Sequence, residues 1–191
     1  MPIKPILFNT EMVRAILEGR KACTRRVITL PENMDGVPVG KSGDSNNPLG
    51  FMYPGGIKRP PYQPGDILYV RETWKKAPNG YYYYEDWQRN DIADITKWKP
   101  SIRMPKAAAR IWLKVTDMRV ERLQEITEEQ AKLEGCNSGM LTGPCTARGQ
   151  FENLWNSTIK KSDIDRYGWD ANPWVWVIEF ERCEKPKGVC T

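Results

Sequence analysis

One short segment of the chain, residues 19–26, concentrates side chains that can do chemistry. Its sequence, GRKACTRR, sets an ammonium, a hydroxyl, a thiol and three guanidinium groups directly after one glycine. Gly19 can end a preceding helix in the left-handed conformation that only glycine adopts at little cost. The polar groups would then lie on the turn that leaves the helix, a position where binding and catalytic residues are common.

The chemistry that these groups suggest is nucleophilic attack by a hydroxyl. The Thr24 hydroxyl becomes a good nucleophile only when a base removes its proton. The chain contains no histidine, so the base would be Lys21, which must be neutral to accept that proton. Cationic neighbours and partial burial both favour the neutral form of a lysine, whereas a neighbouring carboxylate opposes it.

Glu72 is the carboxylate that fits this chemistry. It lies in an alternating, strand-like pattern on the same face as Leu68 and Val70. A carboxylate on an apolar face is costly unless it has a partner or a function. Glu72 can therefore protonate a departing amine or position water, or it can form a structural ion pair with Lys21 or with a nearby arginine.

The spacing Gly-x-Lys-x-x-Thr-x-Arg, which Gly19, Lys21, Thr24 and Arg26 satisfy, resembles the signature of the ASCH superfamily. Three further stretches resemble later parts of that family, namely residues 63–74, residues 110–123 and residues 172–180. The last of them is similar to the closing strand of a larger, phage-type branch. ASCH domains have a PUA-like β-barrel and are associated with RNA and modified nucleosides, so the resemblance implies both.

The resemblance also implies residue roles. Its compact members that deacylate N4-acetylcytidine use the motif lysine, the motif threonine and a glutamate from the following strand. Lys21, Thr24 and Glu72 would then be the catalytic set of a metal-independent amidohydrolase, and we expect no cofactor. The side chains that we expect to bind a substrate are Arg20, Arg25, Arg26, Arg71 and Trp74.

Our principal hypothesis is a domain that binds RNA or a modified nucleoside or nucleotide, with its pocket around residues 19–26. An amidohydrolase of N4-acetylcytidine-like nucleosides is the first alternative, and a phage-encoded structural or assembly accessory is the second. The four consecutive tyrosines at 81–84 offer rings on which bases can stack. Four acids follow them and would repel an extended strand, which favours a single nucleoside: Glu85, Asp86, Asp91 and Asp94.

Composition excludes several classes of site. The absence of histidine rules out a Ser-His-Asp triad and histidine metal ligands. The five cysteines form no C-x-x-C pair, which argues against a zinc ribbon. We expect a cytoplasmic protein outside the membrane, since the sequence shows no long apolar run and no signal-peptide pattern. The net charge of +5 permits an anionic partner without requiring one.

The order of strand and helix patterns predicts an α+β fold, a small mixed β-barrel flanked by about three helices. Asn9 or Thr10 should cap the first helix, and Thr127 with Gln130 should form a capping box. In the long segment 31–65, the side chains most suited to face a ligand are Tyr53, Arg59 and Tyr62, although the composition of the segment favours a purely structural loop. We expect one domain over 1–191, with insertions near 31–65, 75–106 and 136–148 and a frayed tail at 183–191.

Overall fold

A computed structural model gives the fold and describes residues 2–31, 34–89, 97–137 and 146–187. Within these residues the strands are β1 (Ile3–Leu7), β2 (Cys23–Val27), β3 (Val37–Val39), β4 (Gly50–Tyr53), β5 (Gly56–Lys58), β6 (Ile67–Arg71), β7 (Trp74–Ala77), β8 (Gly80–Tyr83), β9 (Trp112–Arg122) and β10 (Trp174–Cys183). The α-helices are α1 (Thr10–Leu17), α2 (Tyr84–Arg89), α3 (Glu128–Leu133), α4 (Ala147–Thr158) and α5 (Ile164–Tyr167). These elements confirm the predicted α+β class for the described part of the chain.

The chain divides into two compact units. The first unit comprises residues 1–19, 65–114 and 181–191, and the second comprises residues 20–64 and 115–180. Strands β9 and β10 each contribute residues to both units, so neither unit is a single continuous segment. A single domain over 1–191 stays a prediction.

In the first unit, β1 lies parallel to β6, and β6 lies antiparallel to the first residues of β9. Strands β7 and β8 form a separate hairpin, with Trp74 opposite Tyr83. One face of β6 packs on an aromatic core together with the hairpin and with residues 104–109. The buried members of this core are Ile67, Tyr69, Trp74, Met104, Ala108, Ala109 and Trp112.

In the second unit, β10 lies between β9 and β2 and pairs antiparallel with β2. Val177 lies opposite Arg25 in this pairing, and Trp176 lies opposite Arg26. One face of these strands packs against α3 and α4 and forms the core of the unit. Its buried members include Cys23, Leu123, Ile126, Ala131, Phe151, Trp155, Trp169, Val175 and Val177.

The insertion predicted at 31–65 contains a small antiparallel sheet. Strand β4 lies between β3 and β5, with Phe51 opposite both Pro38 and Lys58. Phe51 is fully buried, and its ring centroid lies 5.6 Å from that of Trp174. The sequence did not predict these strands because each has only three or four residues, too few for a clear alternating pattern.

Three predicted helix signals are confirmed. Asn9 caps α1, since its Oδ1 accepts a hydrogen bond from the backbone N–H of Met12 at 2.8 Å. Gly19 follows this helix with a φ of 74°, the left-handed conformation that the sequence predicted. The capping box of Thr127 and Gln130 is present at the start of α3. Segment 20–26 therefore leaves α1 through a defined turn.

A carboxylate from α3 caps α4. The oxygens of Glu128 accept hydrogen bonds from the backbone N–H groups of Arg148 at 3.0 Å and Ala147 at 2.7 Å. These two bonds hold the pKa of Glu128 below its ordinary value. The carboxylate therefore stabilises the fold above its unfolded-state pKa, and this contribution is lost as the pH falls through the lower folded-state pKa.

We accordingly expect Glu128→Gln to lower the melting temperature at pH 7 and to have a smaller effect at about pH 3. Thermal unfolding followed by circular dichroism measures both values. Glu129→Gln is the matched control, because Glu129 is the exposed neighbour on the same helix. Equal losses at both pH values would contradict the expected role of the carboxylate.

Some of the predicted features lie outside the described residues. These are parts of the insertions near 75–106 and 136–148 and the end of the tail, at 90–96, 138–145 and 188–191. The pairings among the described strands do not close a barrel, so the predicted barrel is not confirmed. In the described part of the chain, none of the helices has the length and apolar character needed to cross a membrane.

Candidate functional site

Lys21 forms a buried ion pair with Glu134, the residue that follows α3. Its ammonium donates to Glu134 Oε2 at 2.6 Å and to the backbone carbonyl oxygen of Glu134 at 2.8 Å. The side chains of Lys21 and Glu134 are 0% and 3% exposed. The lysine that we expected to act as a base therefore has a carboxylate partner in its own unit.

Segment 20–22 covers the C-terminal end of α3. The backbone N–H of Ala22 donates to the carbonyl oxygen of Leu133 at 2.9 Å. The guanidinium of Arg20 donates to the carbonyl oxygen of Gly135 at 2.7 Å. The last carbonyl groups of a helix have no partner within it and attract cations, which explains why a basic segment docks here.

Arg25 shares the carboxylate of Glu134. Its Nη1 donates to Glu134 Oε1 at 3.2 Å, and its Nη2 donates to Glu121 Oε2 at 3.1 Å and to Gln130 Oε1 at 3.0 Å. The guanidinium is fully buried and lies 5.8 Å from the ring centroid of Phe151. We call this group the buried charge cluster: Lys21, Arg25, Glu121, Gln130 and Glu134. The guanidinium that we expected to bind a substrate is held by side chains of the protein.

Thr24 and Arg26 lie on the other face of β2. Successive side chains of a strand point to opposite faces, so Thr24 and Arg26 face away from Cys23 and Arg25. Thr24 is buried, and Ile178 lies opposite it on β10. The two motif residues of this strand therefore face away from Arg25, which binds the same carboxylate as the motif lysine Lys21.

Two ionisable side chains, Tyr62 and Glu134, affect the pKa of Arg26. Burial lowers the pKa of Arg26, while the phenol of Tyr62 and the carboxylate of Glu134 partly oppose that change. Arg26 thus lies within electrostatic range of both side chains. Tyr62 was among the residues that the sequence predicted to face a ligand, and whether it does so stays a prediction.

Tyr62 lines a cavity of about 350 Å³ that lies wholly within the second unit. The polar side chains of its wall are Lys41, Ser42, Asp44, Ser45, Tyr62 and Gln63. The apolar part of the wall consists of Leu49, Met118 and three prolines. Cavities that bind small molecules usually measure roughly 300–1,000 Å³ and combine apolar walls with a few polar groups.

The loop that forms one side of this cavity, residues 40–49, is held by its own hydrogen bonds. The backbone N–H of Lys41 donates to the carbonyl oxygen of Asn47 at 2.9 Å, and Asp44 Oδ1 accepts from the N–H of Asn47 at 3.1 Å. Ser42 Oγ accepts from the backbone N–H of Met118 at 3.2 Å and ties the loop to β9. The cavity wall is therefore preformed.

In the first unit, Arg110 holds Glu72. Arg110 Nε and Nη2 donate to Glu72 Oε1 and Oε2, both at 2.9 Å. Arg110 Nη1 donates to both oxygens of Asp86 at 2.8 Å, and Nη2 lies 3.8 Å from Glu85 Oε2. The guanidinium carbon lies 4.1 Å from the ring centroid of Tyr83. Glu72 has the structural arginine partner that the sequence offered as an alternative to a catalytic role.

The pKa of Glu72 is nonetheless raised, which favours the protonated form of its side chain. Burial raises the pKa of Glu72, and the hydrogen bonds from Arg110 lower it by less, so the net change is upward. The carboxylates of Asp86 and Glu85 add to the rise. A raised pKa favours the protonated form of the carboxyl, which is the form that a general acid needs.

The other two predicted residues of the first unit are held within it. Arg71 Nη1 donates to the carbonyl oxygen of Ile102 at 3.2 Å, and its guanidinium lies 5.5 Å from the ring centroid of Tyr69. Trp74 is buried, and the ammonium of Lys99 lies 5.1 Å from its ring centroid. Of the eight predicted residues, five lie in the second unit: Arg20, Lys21, Thr24, Arg25 and Arg26.

Sequence reasoning missed Glu134 and Arg110, the partners of Lys21 and Glu72. One signal for Glu134 was present, because it directly precedes Gly135, which ends α3 with a φ of 96°. An acid at that place can hold any cation that docks on the helix end. No comparable signal marks Arg110. Within 2–31, 34–89, 97–137 and 146–187, no group of three or more Cys, Asp and Glu residues is placed to hold a metal.

The resemblance to the ASCH superfamily depends on the motif of segment 19–26 and on three later stretches. In the structure, Thr24 and Arg26 lie on the face of β2 opposite to Arg25. Lys21 forms an ion pair with Glu134. Neither arrangement tests whether the chain belongs to that family. Comparison with known proteins adds no support, because no protein-family model, no curated protein and no solved structure matches the chain.

Proposed function

We propose that the second unit binds a single nucleoside or nucleotide in the cavity that Tyr62 lines. One observation carries this proposal: Tyr62 both lines the cavity and interacts electrostatically with Arg26, the last residue of the motif. The last residue of the motif that resembles a nucleoside-associated family thus lies within electrostatic range of the cavity wall.

The groups around this cavity suit the parts of a nucleotide. The ring of Tyr62 can stack on a base, and the amide of Gln63 can both donate to and accept from the edge of a base. The ammonium of Lys41 can bind a phosphate. A volume of about 350 Å³ is near the lower end of ligand cavities, which favours one nucleoside over several nucleotides of a strand.

The assignment of the fold to a PUA-like barrel is also part of this proposal. The resemblance implies a PUA-like barrel, and its support is the four motif positions Gly19, Lys21, Thr24 and Arg26. The α+β class alone is common to many unrelated functions, so the fold adds little to the functional argument. The cavity and its polar side chains carry it.

Titration calorimetry with cytidine, cytidine monophosphate and N4-acetylcytidine tests the proposal. We expect Tyr62→Ala to weaken binding of all three about tenfold or more, because stacking of a base on an aromatic ring contributes about 1–3 kcal/mol. Tyr53→Ala is the matched control, since Tyr53 is a half-buried tyrosine of the same unit outside the cavity wall. Absence of binding to the folded protein, or equal binding by Tyr62→Ala, would overturn the proposal.

The Lys41→Gln variant distinguishes binding of the phosphate from binding of the base. Since the proposal assigns the ammonium to the phosphate, this change should weaken binding of cytidine monophosphate and leave binding of cytidine unchanged. Lys161→Gln, at an exposed lysine of the same unit, controls for the loss of one positive charge. An equal effect of Lys41→Gln on both ligands would exclude its proposed role.

Deacylation of N4-acetylcytidine remains a second candidate, and the raised pKa of Glu72 is the observation that favours it. Its catalytic set, as the resemblance implies, is Lys21, Thr24 and Glu72. Chromatography of N4-acetylcytidine incubated with the protein measures turnover. Thr24→Val is the sharpest variant, because it removes the hydroxyl and keeps the shape of the side chain. Turnover that this variant retains would exclude Thr24 as the nucleophile.

A further inference from the structure

The second unit contains another cavity, which has no residue in common with the cavity that Tyr62 lines. It measures about 140 Å³, which is small beside the roughly 300–1,000 Å³ of cavities for drug-sized ligands. The apolar part of its wall includes Leu30, Met34 and Trp174, and its charged residues are Asp35, Arg122 and Arg166. We call it the arginine cavity.

Arg166 is held in the wall of the arginine cavity by neutral groups. Its Nη2 donates to the backbone carbonyl oxygens of Leu30 at 2.7 Å and Pro31 at 2.6 Å. In the part of the chain that the structure describes, no carboxylate forms an ion pair with Arg166. Since a guanidinium has five N–H donors, Arg166 keeps donors and its full charge for an anion.

Arg122 is held by a ring and by a strained residue. Its guanidinium carbon lies 4.1 Å from the ring centroid of Trp174, and its Nη1 donates to the carbonyl oxygen of Asn172 at 3.2 Å. Asn172 has a φ of 45°, a left-handed conformation that is uncommon outside glycine. Its Oδ1 accepts from the backbone N–H of Gln124 at 2.9 Å. Backbone strain of this kind is concentrated at functional sites, and here it helps to hold Arg122 at the cavity wall.

Asp35 does not saturate the two guanidinium groups. Its Oδ2 lies 3.7 Å from Arg122 Nη2, which is longer than a hydrogen bond, and its side chain is 75% exposed. An ion pair this exposed contributes little. The cavity wall therefore has two guanidinium groups against one weakly held carboxylate, which a second anion can displace.

The apolar part of the wall limits the kind of anion. Met34 is 38% exposed, although it is apolar. The indole N–H of Trp174 is shielded from solvent and has no acceptor among the described residues. Guanidinium groups bind carboxylate and phosphate through paired N–H donors. A phosphate ion, which is hydrated on all sides, would leave the apolar wall uncovered, whereas a carboxylate on an apolar chain would cover it.

We propose that the arginine cavity binds a small carboxylate that carries a short apolar chain, with the carboxylate on Arg122 and Arg166 and the chain against Leu30 and Met34. This goes beyond the nucleoside cavity, because it uses other residues and another class of ligand. Each site can therefore fail without the other. A free acid and the carboxyl terminus of a partner chain share this chemistry.

Titration of the full chain with pentanoate, followed by two-dimensional NMR of the indole N–H groups, tests this inference. The Trp174→Phe variant assigns the signal of Trp174. We expect this signal to shift saturably with pentanoate, because Arg122 lies against the ring. Pentanamide has the same chain without the charge, and inorganic phosphate has charge without the chain. Both should require concentrations at least about tenfold higher.

Arg166→Gln should weaken binding of pentanoate about tenfold or more, because charge-assisted hydrogen bonds are lost. Arg148→Gln is the matched control and should bind pentanoate as the native protein does. Arg148 is also an exposed arginine of the second unit that donates to two backbone carbonyl oxygens, and it lies 4.9 Å from the ring centroid of Trp169, but it is outside the cavity wall. Asp35→Asn should tighten binding about twofold or more, since it removes the competing carboxylate. All three variants alter exposed side chains, so they should fold.

The tripeptide Gly-Gly-Leu, with a free or an amidated carboxyl terminus, distinguishes the two sources of the carboxylate. Binding of the free-acid peptide at least as tightly as pentanoate identifies the end of a partner chain, and weaker binding identifies a free acid. Three outcomes would overturn the inference: no saturable shift with pentanoate, equal affinity for pentanamide or phosphate, or equal affinity of the Arg166→Gln and Arg148→Gln proteins for pentanoate.

Discussion

Replacing Glu134 with glutamine is expected to lower the free energy of unfolding by about 3–5 kcal/mol, the cost of breaking a buried ion pair from one side. The amide keeps the size of the side chain but removes the charge that Lys21 and Arg25 share at 2.6 and 3.2 Å. Its NH₂ group would also face an N–H donor, because both carboxylate oxygens accept hydrogen bonds in the native protein. Urea unfolding at pH 7 measures the change.

Glu129→Gln is the matched control for this prediction. Glu129 lies on α3 but is exposed, so its replacement should change the free energy of unfolding by less than about 0.5 kcal/mol. Lys21→Met/Glu134→Gln completes a double-mutant cycle. Because it removes the stranded ammonium together with the carboxylate, its loss should fall short of the sum of the single losses by about 0.5–3 kcal/mol. A Glu134→Gln protein as stable as the control would contradict the prediction.

The sequence predicted that Glu72 needs a partner and offered Lys21 or a nearby arginine, but it did not predict Arg110 by number or Glu134 as the partner of Lys21. A carboxylate on an apolar strand face, such as Glu72, is recognisable from local pattern, since burial of an unpaired charge is costly. The partner is set by tertiary packing, and Glu134 meets Lys21 only because segment 20–22 docks on the end of α3. Arg110 likewise reaches Glu72 from a distant part of the chain.

The elements of the fold also differ in whether the sequence predicted them. The cap of α1 at Asn9, the left-handed Gly19 and the capping box at Thr127 follow from hydrogen bonds within a few residues, and all three were predicted. The sheet of β3, β4 and β5 was not, because its central residue Phe51 is stabilised by packing on Trp174. Capping and turn signals act within a few residues and were predicted, whereas strands of three or four residues that depend on a distant side chain were not.

Replacing Arg110 with methionine is the second change for which we expect a large effect, again about 3–5 kcal/mol of unfolding free energy at pH 7. The guanidinium is the common partner of Glu72 and Asp86, and it lies 3.8 Å from Glu85. Without it, the buried carboxylate of Glu72 loses both of its hydrogen bonds from Arg110. Arg103→Met is the matched control, because Arg103 is an exposed arginine of the same unit.

The pH dependence of this loss distinguishes charge from packing. Burial already raises the pKa of Glu72 in the folded protein, so this carboxyl adds stability below its unfolded-state pKa and loses it as the pH rises through the folded-state value. Removing Arg110 removes the group that lowers this pKa and moves it further upward. The loss caused by Arg110→Met should therefore be largest at pH 7 and smaller at about pH 4.

A second substitution tests the same cause at constant pH. Glu72→Gln placed in the Arg110→Met protein removes the stranded charge, so it should restore part of the lost stability at pH 7 and little at about pH 4. Urea unfolding at the two pH values measures how much the free energy of unfolding of each variant differs from that of the native protein. A loss that is independent of pH, and that Glu72→Gln does not relieve, would mean that Arg110 stabilises the first unit through its packing on the Tyr83 ring and not through the carboxylate of Glu72.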